Sequence, residues 1–250
     1  MANPRYLANA PITEAVIDFR VRTPSALKVE ELKLVGERFK GVYEKPEEMR
    51  SFEFGVIQQP GQPLKGNQVD RGLVGFRFTS TDGKHIVQFR KDGFTFSRLS
   101  PYTGWNISFE EASRLYRAYA EVAQIEEISR IAVRYINRLL LPVAEVGDFS
   151  PFLVASPPFP DEVPALITHF LTQMQVKEPD GPTQAIVTQT IQGGNLAPGF
   201  VPVILDFDVF EIGNLPAKPE EILPRFEVLR NFKNRLFFAS ITEKAAALFA

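Results

Sequence analysis

The sequence predicts an α+β fold of two related halves, each an antiparallel sheet with helices packed on one face. Three observations carry this. Two alternating runs of like pattern, over residues 12–22 and 128–142, each open one half of the chain. Two Asp-Gly pairs divide alternating segments between Leu73 and Ser100, and helical spacing closes each half. The halves are residues 1–125 and 126–250, either joined as one continuous domain or standing apart.

In ITEAVIDFRVR, Ala15, Ile17, Phe19 and Val21 share one parity, and Val16, Asp18, Arg20 and Arg22 share the other. Successive side chains of an extended chain point to opposite faces, so this is a strand with an apolar and a charged side. The middle run ISRIAVRYINRLLLP repeats that grammar. Ile131, Val133, Tyr135 and Leu139 lie on one face with Asn137 among them, and Ala132, Arg134, Ile136 and Arg138 on the other. A helix would also align Arg134 with Arg138, but the β-branched and aromatic content favours a strand, ended by Pro142.

After the first strand, Thr23-Pro24 suits a helix start, and Leu32, Val35, Phe39 and Val42 follow at spacings of three and four, which predicts a helix to about Tyr43. Gly36 is a mild weakness in it. Glu44–Arg50 reads as a polar turn, Ser51–Gln58 as a strand, and the Gly, Pro, Gln and Asn of Gln59–Gly72 as a mobile loop. Leu73–Ser80, Lys84–Arg90 and Phe94–Ser100 then read as a three-stranded meander through the Asp82-Gly83 and Asp92-Gly93 turns. Ser108 with Glu111 three residues on predicts a capped helix start, with Phe109, Ala112, Tyr116, Tyr119 and Ala123 on its buried face.

In the second half, Glu145–Val154 suits a short helix, and Ser156–Pro164 is too proline-rich for regular structure. Leu166–Lys177 fits either period, with alternation favouring a strand; Thr183–Gln192 and Val201–Ile212 read as two more strands. Pro219–Phe249 carries helical spacing, with a break at Pro224 or over Ser240–Thr242.

Composition narrows the function classes. A net charge of −2 makes a nucleic-acid backbone an unlikely partner, because that partner selects clustered basic surface; Arg77, Arg90 and Arg98 would have to share one face with the other arginines. The chain has no cysteine, which removes disulfides, zinc thiolates and thiol nucleophiles. No apolar run is long enough to span a bilayer and the N-terminus lacks a signal-peptide pattern, so a cytoplasmic protein without membrane partners is expected. The 22 phenylalanines imply an aromatic interior.

No nucleophile elbow or phosphate loop is present, His85 and His169 have no acid beside them at ligand spacing, and neither a cofactor, a metal nor a catalytic residue is expected. Asp206 and Asp208 in LDFDVF fall on one face of a strand, where they either hold an ion or ligand or pair with Arg20, Arg134 and Arg138 across the sheet. Those five residues are the candidate ligand-binding set. Tyr102 and Trp105, the only tryptophan, precede a helix and either anchor a partner or plug the core. Phe237 and Phe238 beside Leu236 are wider than one buried stripe requires, so they are either covered within the monomer or form an interaction surface.

Taken together, PITEAVIDFRV, SPYTGW before a helix, VRYINRLLLP, LDFDVF and LRNFKNRLFFASITEKAAALF resemble a sporadically distributed family of bacterial proteins of about this length, whose members are called uncharacterised. The resemblance spans nearly the whole chain and implies no reaction, cofactor or catalytic residue. Patchy distribution implies an accessory or conflict-related role. The resulting expectation is a non-enzymatic binding module whose partner is another protein or a second copy of the chain. The alternative is a small-ligand receptor or enzyme that uses the Arg/Asp face as a groove.

Overall fold

A computed structural model describes residues 1–57, 65–142, 148–158, 160, 167–193 and 199–250, without the side chains of 54–57 and 65–67. In chain order the elements are β1 (Ile12–Arg22), α1 (Glu31–Glu37), β2 (Tyr43–Ile57), β3 (Lys65–Ser80), β4 (His85–Arg90), β5 (Gly93–Leu99), α2 (Trp105–Ala123), β6 (Glu127–Leu141), β7 (Leu171–Lys177), β8 (Gln184–Ile191), β9 (Val201–Leu215), α3 (Pro219–Ile222), α4 (Arg225–Ser240) and α5 (Glu243–Ala247). Among the described residues nine strands join one antiparallel sheet, ordered β2-β3-β4-β5-β1-β6-β9-β8-β7, which makes the fold α+β.

The two charged-and-apolar strands meet at the centre. Ile17 of β1 lies opposite Val133 of β6, and Phe19 opposite Ile131, so their apolar parities fall on the same face. Phe19 is fully buried there, stacked on Tyr116 of α2 at 3.8 Å between ring centroids and tilted against Phe226 of α4 at 4.9 Å. Phe207 of β9 meets Phe237 of α4 edge-on, and Phe78 of β3 lies under Gly36 of α1. The core is therefore one layer between the sheet and the helices, and the described helices all pack on this apolar face. Full burial of an aromatic side chain stabilises by about 1.5–3 kcal/mol, so this layer dominates the fold's energetics.

The Asp-Gly turns work by two different means. Gly83 adopts a φ of 68°, the positive angle a tight turn demands. Gly93 has no positive φ; a Cβ there would lie 2.3 Å from the Phe19 carbonyl oxygen, so glycine lets β5 dock against β1.

Several segments depart from the sequence reading. The first helix covers only Glu31–Glu37, flanked by single turns, because Gly41 with a φ of 97° ends the coil and Tyr43 is already paired to Ser80. Glu44–Arg50 belongs to β2 instead of a turn, and residues 65–72 belong to β3 instead of a loop; residues 58–64 lie outside the described residues. Their polarity reflects an edge ribbon held by cross-strand ion pairs such as Arg50–Asp70 at 2.8 Å and Arg77–Glu47 at 3.3 Å. The α2 helix starts at Trp105 after Gly104. Ser108 lies one turn inside it and donates to the Gly104 carbonyl at 2.9 Å, so it is not the cap, and Glu111 bonds Arg114 and Tyr43 instead. The helix expected over Glu145–Val154 does not form within residues 148–154, where Leu153 makes a bridge to Ile241; residues 143–147 lie outside the described residues. The last helical region breaks at both expected places, Pro224 and Ser240–Thr242.

Candidate functional site

Two places collect the residues singled out in the sequence. The first is the sheet face turned away from the helices. Arg134 lies directly opposite Asp208 in the β6–β9 register, yet its guanidinium reaches diagonally to Asp206, with Nη2 at 2.5 Å from Oδ2. Asp208 is taken by Arg130, four residues before Arg134 on the same face of β6, with Nη2 at 2.7 Å from both carboxylate oxygens. The hydrogen bond to Asp206 raises the Arg134 pKa above its already high ordinary value. Arg138 donates to Gln192 at 2.6 Å. Arg20 sits 3.3 Å from Asp18 and 3.6 Å from Asp92.

Asp18 is the buried centre of this face, at 8 % exposure. Its Oδ1 accepts from Thr95 at 2.6 Å, while Arg90 and Arg130 stand 3.6 and 3.5 Å away. Asp18 Oδ2 and Arg90 Nη2 have no hydrogen-bond partner among the described residues, so these contacts are coulombic and longer than hydrogen bonds. All five members of the predicted set thus share a face, but they are already satisfied by one another and by neighbours, with Asp18, Arg90 and Arg130 added. Of the basic residues a nucleic acid would need, Arg77 and Arg90 share this face and Arg98 does not. Arg98 sits on the helix side, 6 % exposed, bound to His85 at 2.9 Å and to the Pro101 carbonyl at 2.8 Å.

The second place is a cavity of about 410 Å³ on the helix side, and it gathers the other four candidates. Tyr102 and Trp105 come from the loop into α2 and its first turn; Phe237 and Phe238 come from α4. Trp105, Phe237 and Phe238 are buried within the monomer at 6 %, 7 % and 8 % exposure, so they form cavity wall and core, not an open patch. Trp105 stacks on Phe109 at 4.7 Å, and its indole N–H donates to Glu227.

Sequence reasoning missed the polar members of this wall. Tyr135 and Asn137 of β6 point in among the apolar residues; the Tyr135 hydroxyl meets that of Tyr102 at 3.0 Å, and Asn137 donates to the Leu205 carbonyl at 3.0 Å. Burial pushes both phenols above the ordinary tyrosine range. Lys233 of α4 is 8 % exposed, its Nζ 3.9 Å over the Tyr135 ring and 2.6 Å from Asn234 Oδ1. Among the described residues it makes no ion pair. Burial, aided by the nearby Arg230 charge, lowers its pKa from 10.5 to about 7, against the pull of the ring face and amide oxygen toward the charged form. A signal for it existed: Phe226, Leu229, Lys233 and Phe237 recur at helical spacing, so Lys233 occupies a position of the apolar stripe. Arg230 and Arg5 complete the wall. Among the described residues no group of three or more acids or histidines is placed to hold a metal ion.

No protein-family model, curated protein or solved structure matches this chain.

Proposed function

We propose that the protein binds a small, flat organic acid in the cavity between residues 4–12, Tyr102–Trp105 and α4. One observation carries the reading: an aromatic-walled cavity of about 410 Å³ into which Lys233, Asn137 and a tyrosine pair project. Small-ligand sites run at about 300–1,000 Å³ and combine apolar walls with a few convergent polar groups. Trp105, stacked on Phe109 by one ring face, and Tyr102 supply aromatic wall for the ligand's body. Arg230 spends one N–H on Glu227 at 3.0 Å, and a guanidinium has donors left for a carboxylate.

Trp105 is the only tryptophan, so its emission reports on this cavity alone. Titration with benzoate is expected to change that emission saturably, with acetate far weaker. Absence of a saturable change with benzoate up to millimolar concentration removes the reading.

A second reading keeps the interaction module, because none of the described helices packs on the face bearing Arg134 and Asp206. A partner protein or a second copy of the chain would dock there, in an accessory or conflict-related role consistent with the family the sequence resembles. The two parts of the chain are read as related copies: outward from the centre, β1-β5-β4-β3 is answered by β6-β9-β8-β7, and α2 by α4. Sedimentation of the protein at micromolar concentration tests self-association, and a monomer throughout excludes the second copy.

A further inference from the structure

A buried lysine without a carboxylate ordinarily escapes by extending its stem so that the ammonium reaches water. Lys233 does neither. It is 8 % exposed, it makes no ion pair among the described residues, and it lines a cavity large enough for a small molecule. Its nearest partners are a ring face at 3.9 Å and one amide oxygen at 2.6 Å. The Tyr102–Tyr135 hydroxyl pair, joined at 3.0 Å, lines the same cavity and stays protonated at neutral pH, so it has a proton to lend to an alkoxide, a base stronger than a phenolate. A desolvated amine beside proton-bearing phenols is the arrangement that condenses with carbonyl compounds.

We propose that Lys233 captures the aldehyde or ketone of a small oxo acid as a Schiff base, an inference that rests on the cavity being the ligand site. The Nζ lone pair forms a bond to the carbonyl carbon as the C=O π bond breaks, and the oxygen takes a proton from the tyrosine pair. The nitrogen gives up one proton, returning the tyrosine pair to its starting form. In the resulting carbinolamine the hydroxyl takes a proton from the tyrosine pair and leaves as water, and the remaining N–H proton returns to the pair, leaving a neutral C=N bond. One amine and one carbonyl give one imine and one water, with no oxidant or reductant. Arg230, bonded to Glu227, and Arg5, bonded to Glu243 at 2.7 Å, line the cavity with guanidinium donors left for the acid's carboxylate.

Only the neutral amine attacks, and burial brings that form within reach of neutral pH. The charged and titratable groups at the cavity are Arg230 and its partner Glu227 on the same helix, Tyr135 on β6, Tyr102 in the loop before α2, and Arg5 with its partner Glu243.

The experiment incubates the whole protein with 4-formylbenzoate and sodium cyanoborohydride, then maps the reduced adducts by peptide mass spectrometry. The expected result is one dominant adduct on Lys233, formed at least tenfold faster than on any other lysine and suppressed by excess benzoate. Lys233→Met is expected to remove that adduct and leave slow background labelling. Because that variant could misfold, suppression by benzoate in the unsubstituted protein stands as the independent readout. Labelling spread evenly over exposed lysines overturns the proposal. If 4-formylbenzoate alters Trp105 emission saturably but no adduct forms on Lys233, the capture step is wrong and the binding site stands. If neither occurs, both fall.

Discussion

Arg134 faces Asp208 across the β6–β9 register, but it is bonded to Asp206, two residues along the same strand. Register alone therefore misassigns the ion pairs of this sheet, and coupling energies should follow the diagonal. Double-mutant cycles to alanine, read by urea denaturation, are expected to give about 0.5–1 kcal/mol for Arg134 with Asp206, as for a pair with one exposed partner. The coupling of Arg134 with Asp208 is expected to be smaller. A larger value for the directly opposed pair would contradict the geometry.

Removing Asp18 should be among the more damaging changes on the open face. Arg90, 9 % exposed in its side chain, loses the more buried of its two counter-charges and keeps only the exposed Asp92 at 3.1 Å, and Thr95 loses the acceptor for its hydroxyl. Asp18→Ala is expected to destabilise by about 1–3 kcal/mol, the range for buried polar groups left unsatisfied, because Arg90 keeps Asp92 at 3.1 Å. Combining it with Arg90→Met should recover part of that loss, which denaturant midpoints would report.

Tyr116 invites the opposite expectation. Its ring stacks on Phe19, but its hydroxyl is buried with no hydrogen-bond partner among the described residues. Tyr116→Phe keeps the stack and removes an unsatisfied polar atom, so stability should hold or rise by up to about 1 kcal/mol. Burial raises this phenol above its unfolded value, so the folded state resists ionisation that the unfolded chain undergoes above about pH 10. The stability tied to this group is fully present below that pH and is lost above it. The variant should therefore show a shallower alkaline loss.

Lys233 should leave its mark between pH 7 and 10. The folded lysine titrates near 7, the unfolded one near 10.5, so in that window the unfolded chain binds the extra proton and stability rises with pH. Below about 7 both forms are charged and the penalty is constant. Lys233→Met is expected to flatten this slope and to leave stability at pH 7 unchanged or higher, because a buried unpaired cation is replaced by apolar volume. Urea unfolding at pH 7 and pH 9.5 separates the slopes.

Gly36 gives a test of packing against propensity. Helix propensity favours Gly36→Ala by about 1 kcal/mol. The structure places an added Cβ 2.2 Å from the Phe78 ring, inside a layer where that ring is 2 % exposed. The substitution is expected to destabilise by about 1–3 kcal/mol, as for an overpacked core, and a rise in thermal midpoint would refute it.

The sheet was legible wherever one face is apolar and the other polar. The alternation over β1, β4, β5, β6, β8 and β9 marks strands because the helices cover only one side. It failed over Glu44–Arg50 and residues 65–72, an edge ribbon that has exposed side chains on both faces at Glu44–Glu48 and Gln68–Arg71 and so needs no apolar parity there. The first helix was read too long because Phe39 and Val42 keep helical spacing, whereas Gly41 and the start of β2 set the true end. Of the site, the pairing of Asp206 with Arg134 was within reach of the pattern. The cavity was not, because Tyr102, Tyr135 and Lys233 come from a loop, a strand and a helix that only the folded sheet brings together.

The central position of β1 has a consequence for how the chain is made. This eleven-residue strand emerges early, yet one of its two neighbours is β6, more than a hundred residues later. Until β6 arrives, a nascent chain that has already closed β5 onto β1 presents a bare row of amide and carbonyl groups, with Phe19 still lacking the cover of Phe226. A product truncated before residue 127 should therefore precipitate or recruit a second copy of itself along that open edge.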